Sequence, residues 1–122
     1  FARDVLRVHI TELDLDLLPQ VRDYTGADIN TNYTYAKRLN PYTNGLPKSV
    51  EAQHTSRYTE LFELFVKHRD KIDRVSTWGT TDGESWKNGW PIKGRTNYPL
   101  LFDRGYRPKP AYFSIKDLKL QK

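Results

Sequence analysis

"VLRVHITELDLDLLP", residues 5–19, sets an unbroken run of strand-forming residues directly before three acids. Val5, Leu6, Val8, Ile10 and Thr11 read as a buried strand that continues to Leu13. Both of its faces are largely apolar up to Thr11, the pattern of a parallel strand covered on two sides. Glu12, Asp14 and Asp16 follow at every second position. Ionised carboxylates at the mouth of a buried strand are costly unless something pairs or uses them. Strand alternation puts Glu12 and Asp14 on one face, roughly 7 Å apart at Cα. That is near the separation of two hydrolytic carboxylates, so spacing alone suggests a nucleophile and acid side by side.

Residues 19–49, "PQVRDYTGADINTNYTYAKRLNPYTNGLPKS", make a long polar connection of the kind that carries function in compact domains. A short helix is expected over Tyr33–Leu39. Beyond the connection, Ser49 reads as the cap of a helix from Val50 to about His68, with Glu51 in its first turn. Tyr58, Leu61, Phe62 and Phe65 form its buried stripe, and His54 and His68 are assigned to its polar side. A second strand runs from Ile72 to Trp78 and is ended by Gly79. Residues 79–107 are rich in loops. A last helix starts near Pro108 or Pro110 and runs to about Leu118, with Tyr112, Ile115 and Leu118 inward. The order strand, helix, strand, helix signals a parallel α/β architecture, and 122 residues fit one domain.

Composition narrows the function classes. The net charge is +5, yet the basic residues are scattered singly, without the stripe or motif of a nucleic-acid-binding protein. No stretch is long and apolar enough to span a membrane. Three widely spaced histidines and no cysteine argue against a metal site, and His9 reads as a structural mid-strand residue. No phosphate loop or nucleophile elbow suggests a cofactor or a serine hydrolase. Three Trp, eight Tyr and five Phe in a chain only 37% hydrophobic point to a binding surface or to missing partner structure.

Both strands end in chemistry at their C-terminal edge, where parallel α/β proteins collect their sites. The first offers Glu12, Asp14 and Asp16. The second offers Trp78, followed by Asp82, Glu84 and Trp86 in its loop. Taken singly, Glu12 reads equally as a solvated acid and Trp78 as a core-capping indole. Taken together they suggest a saccharide site, because carboxylates hydrolyse glycosides and indole faces stack on sugar rings.

At "HITELDLD", "VSTWGTTDGESW" and "YPLLFDRGYRPKPAYFSI" the sequence resembles glycoside hydrolase family 10, the endo-1,4-β-xylanases. The resemblance implies a (β/α)8 TIM barrel, of which this chain, residues 1–122, supplies the last two β/α units, with a long loop at about 19–49. It implies a retaining double displacement on xylan with Glu12 as nucleophile and no cofactor. Asp14 is implied to orient a histidine from an earlier strand, which overrules the pairing drawn from spacing. Trp78 and Trp86 are implied to wall the glycone-side subsites, and Asp16 is read as a solvated loop acid. Asp82 is implied either to order its loop or to touch substrate. Thr77 and Thr80 stand where the family more often has apolar residues, which loosens the packing expected around Trp78. The acid/base carboxylate belongs to the fourth strand, so the partners implied are a xylan or xylo-oligosaccharide substrate and the N-terminal remainder of the barrel, held as another chain. Export to the cell surface, periplasm or medium is implied by the family, although no signal peptide opens the sequence. The competing reading is a non-catalytic carbohydrate-binding remnant that uses Trp78 and Trp86.

Overall fold

The computed structural model describes residues 6–20 and 37–118. Val5, the greater part of the 19–49 connection and residues 33–36 of the expected short helix lie outside the described residues. Residues 37–39 are helical.

The order is strand β1 (Val8–Leu13), helix α1 (Lys48–Lys67), strand β2 (Ile72–Thr77), two single 3₁₀ turns (Asp82–Glu84 and Trp86–Asn88) and helix α2 (Pro110–Lys116). The two strands pair in parallel, with Val8 opposite Ile72, Ile10 opposite Val75 and Leu13 opposite Thr77. The pairing extends one step further, since the Trp78 N–H donates to the Leu13 carbonyl at 2.9 Å. The C-terminal ends of β1 and β2 therefore meet at one edge.

No residue of either strand is fully buried among the described residues. A sheet of only two strands leaves open the faces that the sequence pattern expects to be covered. His9, expected to be structural, is exposed and lies 3.7 Å from Asp73. At the opposite edge Arg7 bonds the Asp73 carboxylate and the Asp70 carbonyl, which ties the entry of β1 to β2. Arg7 holds the Asp73 carboxyl below its ordinary range.

Helix α1 begins before the expected Ser49 cap. Pro47 occupies the N-cap position with φ −57° and ψ 145°, and no side chain caps the helix. The ring holds Pro47 extended, and its carbonyl accepts from the Val50 and Glu51 N–H groups, so Ser49 falls inside the first turn. The buried stripe also starts earlier than expected. His54 is buried together with Tyr58, because residues four apart share a helix face whatever their polarity. Their rings meet edge to face at 4.8 Å.

The core lies between α1 and the segment 97–111 rather than on the sheet. Leu18, Leu39, Tyr58, Leu100 and Ala111 are its buried apolar residues. The Tyr58 hydroxyl donates to the Pro99 carbonyl at 2.5 Å, so the phenol brings its own partner into the core. Helix α2 opens on Pro110 at its first position, where no N–H is required, and ends at Lys116. Ala111 faces the core, Tyr112, Ile115 and Leu118 are half-buried, and Leu118 lies just past the helix. Thr59 and Ser114 join the two helices through their hydroxyls at 2.6 Å.

Candidate active site

The end of β1 and the loop after β2 come together through their side chains. Trp86 Nε1 donates to Asp14 Oδ2 at 2.9 Å, which fixes one edge of the indole to an acid 72 positions away. Glu12 is exposed one residue before Leu13, whose carbonyl is held by Trp78. Trp78 itself is 48% exposed, so it presents its indole to solvent and does not cap the core. The chain leaves the strand through Gly79 at φ +120°, and a Cβ there would stand 2.9 Å from Leu100 Cδ1. Only glycine meets both demands. The Thr77 hydroxyl donates to the Gly79 carbonyl at 2.9 Å and supports the same turn.

Asp16 is not the solvated acid expected of it. Its Oδ1 accepts from Asn97 Nδ2 at 2.8 Å and from the Leu18 N–H at 2.9 Å, and Lys87 approaches its Oδ2 at 3.7 Å. The reason is Asn97, which is fully buried and lies 81 residues away. Asn97 Oδ1 accepts from the Leu17 and Tyr98 N–H groups as well. One amide thus pins the segment after β1 to the segment before α2.

Asp82 orders its loop. It is wholly buried, with Oδ1 accepting from the Leu100 N–H at 2.8 Å and Oδ2 from Lys109 Nζ at 3.0 Å. Lys109 gives its other two protons to the Tyr98 and Leu100 carbonyls at 2.9 and 2.7 Å. Burial pushes the Asp82 carboxyl up and the Lys109 ammonium down, each against the pull of its partner. All three ammonium donors are nonetheless matched, as a buried cation requires.

Asn88 closes the same loop. Its Nδ2 donates to the Asp82 and Ser85 carbonyls, and its Oδ1 accepts from the Asn97 N–H and Arg104 Nη2. Lys109, Asn88 and Asn97 carry no local signal in the sequence. Lys109 sits inside the last motif stretch and the two asparagines lie between motifs, and their partners lie on other segments. Arg95 is likewise buried, and its Nη1 reaches the Pro19 carbonyl at the start of the long connection and the Leu39 carbonyl within it.

The aromatic surface is larger than the two tryptophans expected. Trp90 is 57% exposed and stacks on Trp86 with centroids 5.2 Å apart and planes 25° apart. Lys87 Nζ stands 4.5 Å from the Trp86 ring centre and 5.7 Å from that of Trp90. An open cleft of about 620 Å³ lies between the segment after β1 and α1, with Asp14, Asp16, His54 and Arg57 among its walls. Glu12, Trp78 and Trp86 do not line it. Among the described residues no three His, Asp or Glu gather as a metal-ligand group, and no helix is long and apolar enough to cross a membrane.

An exposed carboxylate and two exposed indoles at one edge of paired parallel strands suit a saccharide site. The model of Glycosyl hydrolase family 10 matches residues 1–118. The chain is 50% identical over 108 residues to the endo-1,4-β-xylanase A of Xylanibacter ruminicola, covering 88% of this chain and 29% of that one. It is 36% identical over 111 residues to an endo-1,4-β-xylanase of Geobacillus stearothermophilus, covering 91% and 29%.

Among solved structures, an endoxylanase of this family retrieved from a sugarcane soil metagenome superimposes with a TM-score of 0.78 at 51% identity, over 91% of this chain and 30% of that one. A mutant protein solved in complex with xylotriose matches with a TM-score of 0.74 at 30% identity, over 97% and 31%. The chain thus spans about 30% of the length of the relatives it matches. The family is built on the TIM barrel, and the two parallel β/α units described above are the last two of such a barrel. On sequence and on structure alike, the chain belongs to glycosyl hydrolase family 10.

Proposed function

We propose that this chain is the C-terminal part of a retaining endo-1,4-β-xylanase and works within the complete barrel. Residues 1–122 then form part of a single catalytic domain, with residues 19–49 as a long loop on it. The observation that carries the reading is the meeting of the Glu12–Asp14 strand end with Trp78 and Trp86 at one sheet edge. Relatives named as endo-1,4-β-xylanases and a neighbour solved with xylotriose support xylan as the substrate.

In this mechanism a Glu12 oxygen attacks the anomeric carbon of a xylose unit while the bond to the leaving oxygen breaks. That oxygen takes its proton from an acid/base carboxyl elsewhere on the barrel, at the roughly 5–5.5 Å separation of retaining enzymes. Water then displaces Glu12, giving its proton to the same group. Asp14 holds the Trp86 indole with one oxygen, and its other oxygen is available to orient a histidine beside Glu12. Trp78 and Trp86 offer their faces to the sugar rings. Because polymeric xylan is too large to import, the enzyme acts at the cell surface, in the periplasm or outside the cell.

The test is Glu12→Gln in the complete barrel. Loss of a covalent nucleophile lowers kcat on xylan by roughly 10³-fold or more. Glu12→Ala with added azide should release a glycosyl azide of inverted configuration, since azide would take the place of the missing carboxylate. Near-wild-type turnover by Glu12→Gln refutes the assignment.

A further inference from the structure

The function read above needs Trp86 held in one plane, and a single hydrogen bond does not fix a plane. The Asp14 contact restrains only the Nε1 edge of the indole and leaves rotation about that edge open. Trp86 is 43% exposed, so core packing does not immobilise it either. What covers one of its faces is Trp90, stacked at 5.2 Å with planes 25° apart. Trp90 reaches that position through the backbone, for its N–H and that of Gly89 both donate to the Trp86 carbonyl, at 3.1 and 3.0 Å.

Lys87 completes the arrangement. It lies over both rings and extends to Asp16, which Asn97 fixes to the buried scaffold. With one face of Trp86 covered, a single face is left for a sugar.

We propose that Trp90 is a positioning residue that sets the plane of Trp86, and that it acts on the reaction only through that indole. The inference rests on the reading of Trp86 as a sugar-stacking wall. An offset-stacked pair in a half-exposed site contributes enough that its loss allows Trp86 to leave its working orientation for most of the time. A 57% exposed indole on a loop contributes little to global stability, so the effect falls on catalysis.

The experiment is a double-mutant cycle in the complete barrel, assayed on a short aryl β-xylobioside together with thermal unfolding. Trp90→Ala should lower kcat/KM about 5- to 10-fold with an unchanged melting temperature. Trp90→Phe, which keeps a flat face, should restore it to within about twofold of wild type. In a Trp86→Ala background, adding Trp90→Ala should cost less than about twofold, because nothing remains to be positioned.

Wild-type kcat/KM in Trp90→Ala would overturn the inference while leaving xylanase activity intact. A further large loss in the Trp86→Ala background would overturn it too, by showing that Trp90 contacts substrate independently. So would equal losses in Trp90→Ala and Trp90→Phe with a lowered melting temperature, the mark of a merely structural role. An inactive wild-type enzyme would overturn the functional reading and the inference with it.

Discussion

Replacing Lys109 by Met in the complete barrel keeps the reach and apolar bulk of the side chain and removes the ammonium. The three N–H groups lost serve Asp82 Oδ2 at 3.0 Å, the Tyr98 carbonyl at 2.9 Å and the Leu100 carbonyl at 2.7 Å. Water cannot replace them readily, since the Lys109 and Asp82 side chains are 6% and 0% exposed. Breaking a buried ion pair from one side costs about 3–5 kcal/mol.

Proton uptake by Asp82, whose pKa burial already raises, would relieve its charge. It would not relieve the two carbonyls, each of which keeps a penalty of about 1–3 kcal/mol. A loss of about 3–5 kcal/mol in a barrel-sized domain lowers the melting temperature by roughly 6–12 °C. Thermal unfolding and denaturant midpoints of wild type and Lys109→Met measure it. A difference below about 1 kcal/mol would refute the claim that this cation satisfies the loop. The double variant D82L/K109M sharpens the test. Many buried ion pairs are replaced by apolar residues at no cost, but here the Leu100 N–H and two carbonyls would still lack partners, so the double variant should stay destabilised.

The remaining predictions concern the two other constraints on this scaffold. Burial, reinforced by the positive charge of Lys109, lowers the His54 pKa to about 3. Its unfolded value is about 6.5, so the unfolded state binds the proton first on acidification. Its contribution is therefore complete above about pH 6.5 and is lost as the pH falls toward 3, at up to about 1.4 kcal/mol per unit. His54→Phe keeps a ring against Tyr58 without titrating, and its stability relative to wild type should rise steadily below pH 6.5; a constant difference across that range would count against it. Gly79→Ala combines a strained φ with a contact on buried Leu100, and should cost about 1–3 kcal/mol. Unchanged unfolding of that variant would show that the strand exit is less constrained than its geometry implies.

The parallel α/β order, both strands and both helices were legible because each rests on a local pattern. Val8–Leu13 and Ile72–Thr77 carry strand-forming residues, and the stripe through Tyr58, Leu61, Phe62 and Phe65 repeats at helical spacing. The strand-end carboxylates and tryptophans were legible for the same reason, since a parallel sheet sends its strand ends to one edge. Element boundaries were less so. Pro47, and not Ser49, starts α1, because a fixed backbone angle outweighed a preferred capping side chain.

What only the tertiary structure decided is which polar residues are buried and what they hold. His54 reads as polar by type, yet its position four residues before Tyr58 carries it into the core. Asp16 reads as solvated until Asn97 arrives from 81 residues away. Asp82 reads as either a substrate contact or a loop support until Lys109 approaches across 27 residues. Trp90 gives no sign of its place until a loop stacks it on Trp86. The sequence determined the elements and the edge at which their chemistry gathers, because propensity and periodicity are properties of neighbours along the chain. The pairings that hold that edge in shape join distant segments, and hydrogen bonds between such segments exist only once the chain has folded.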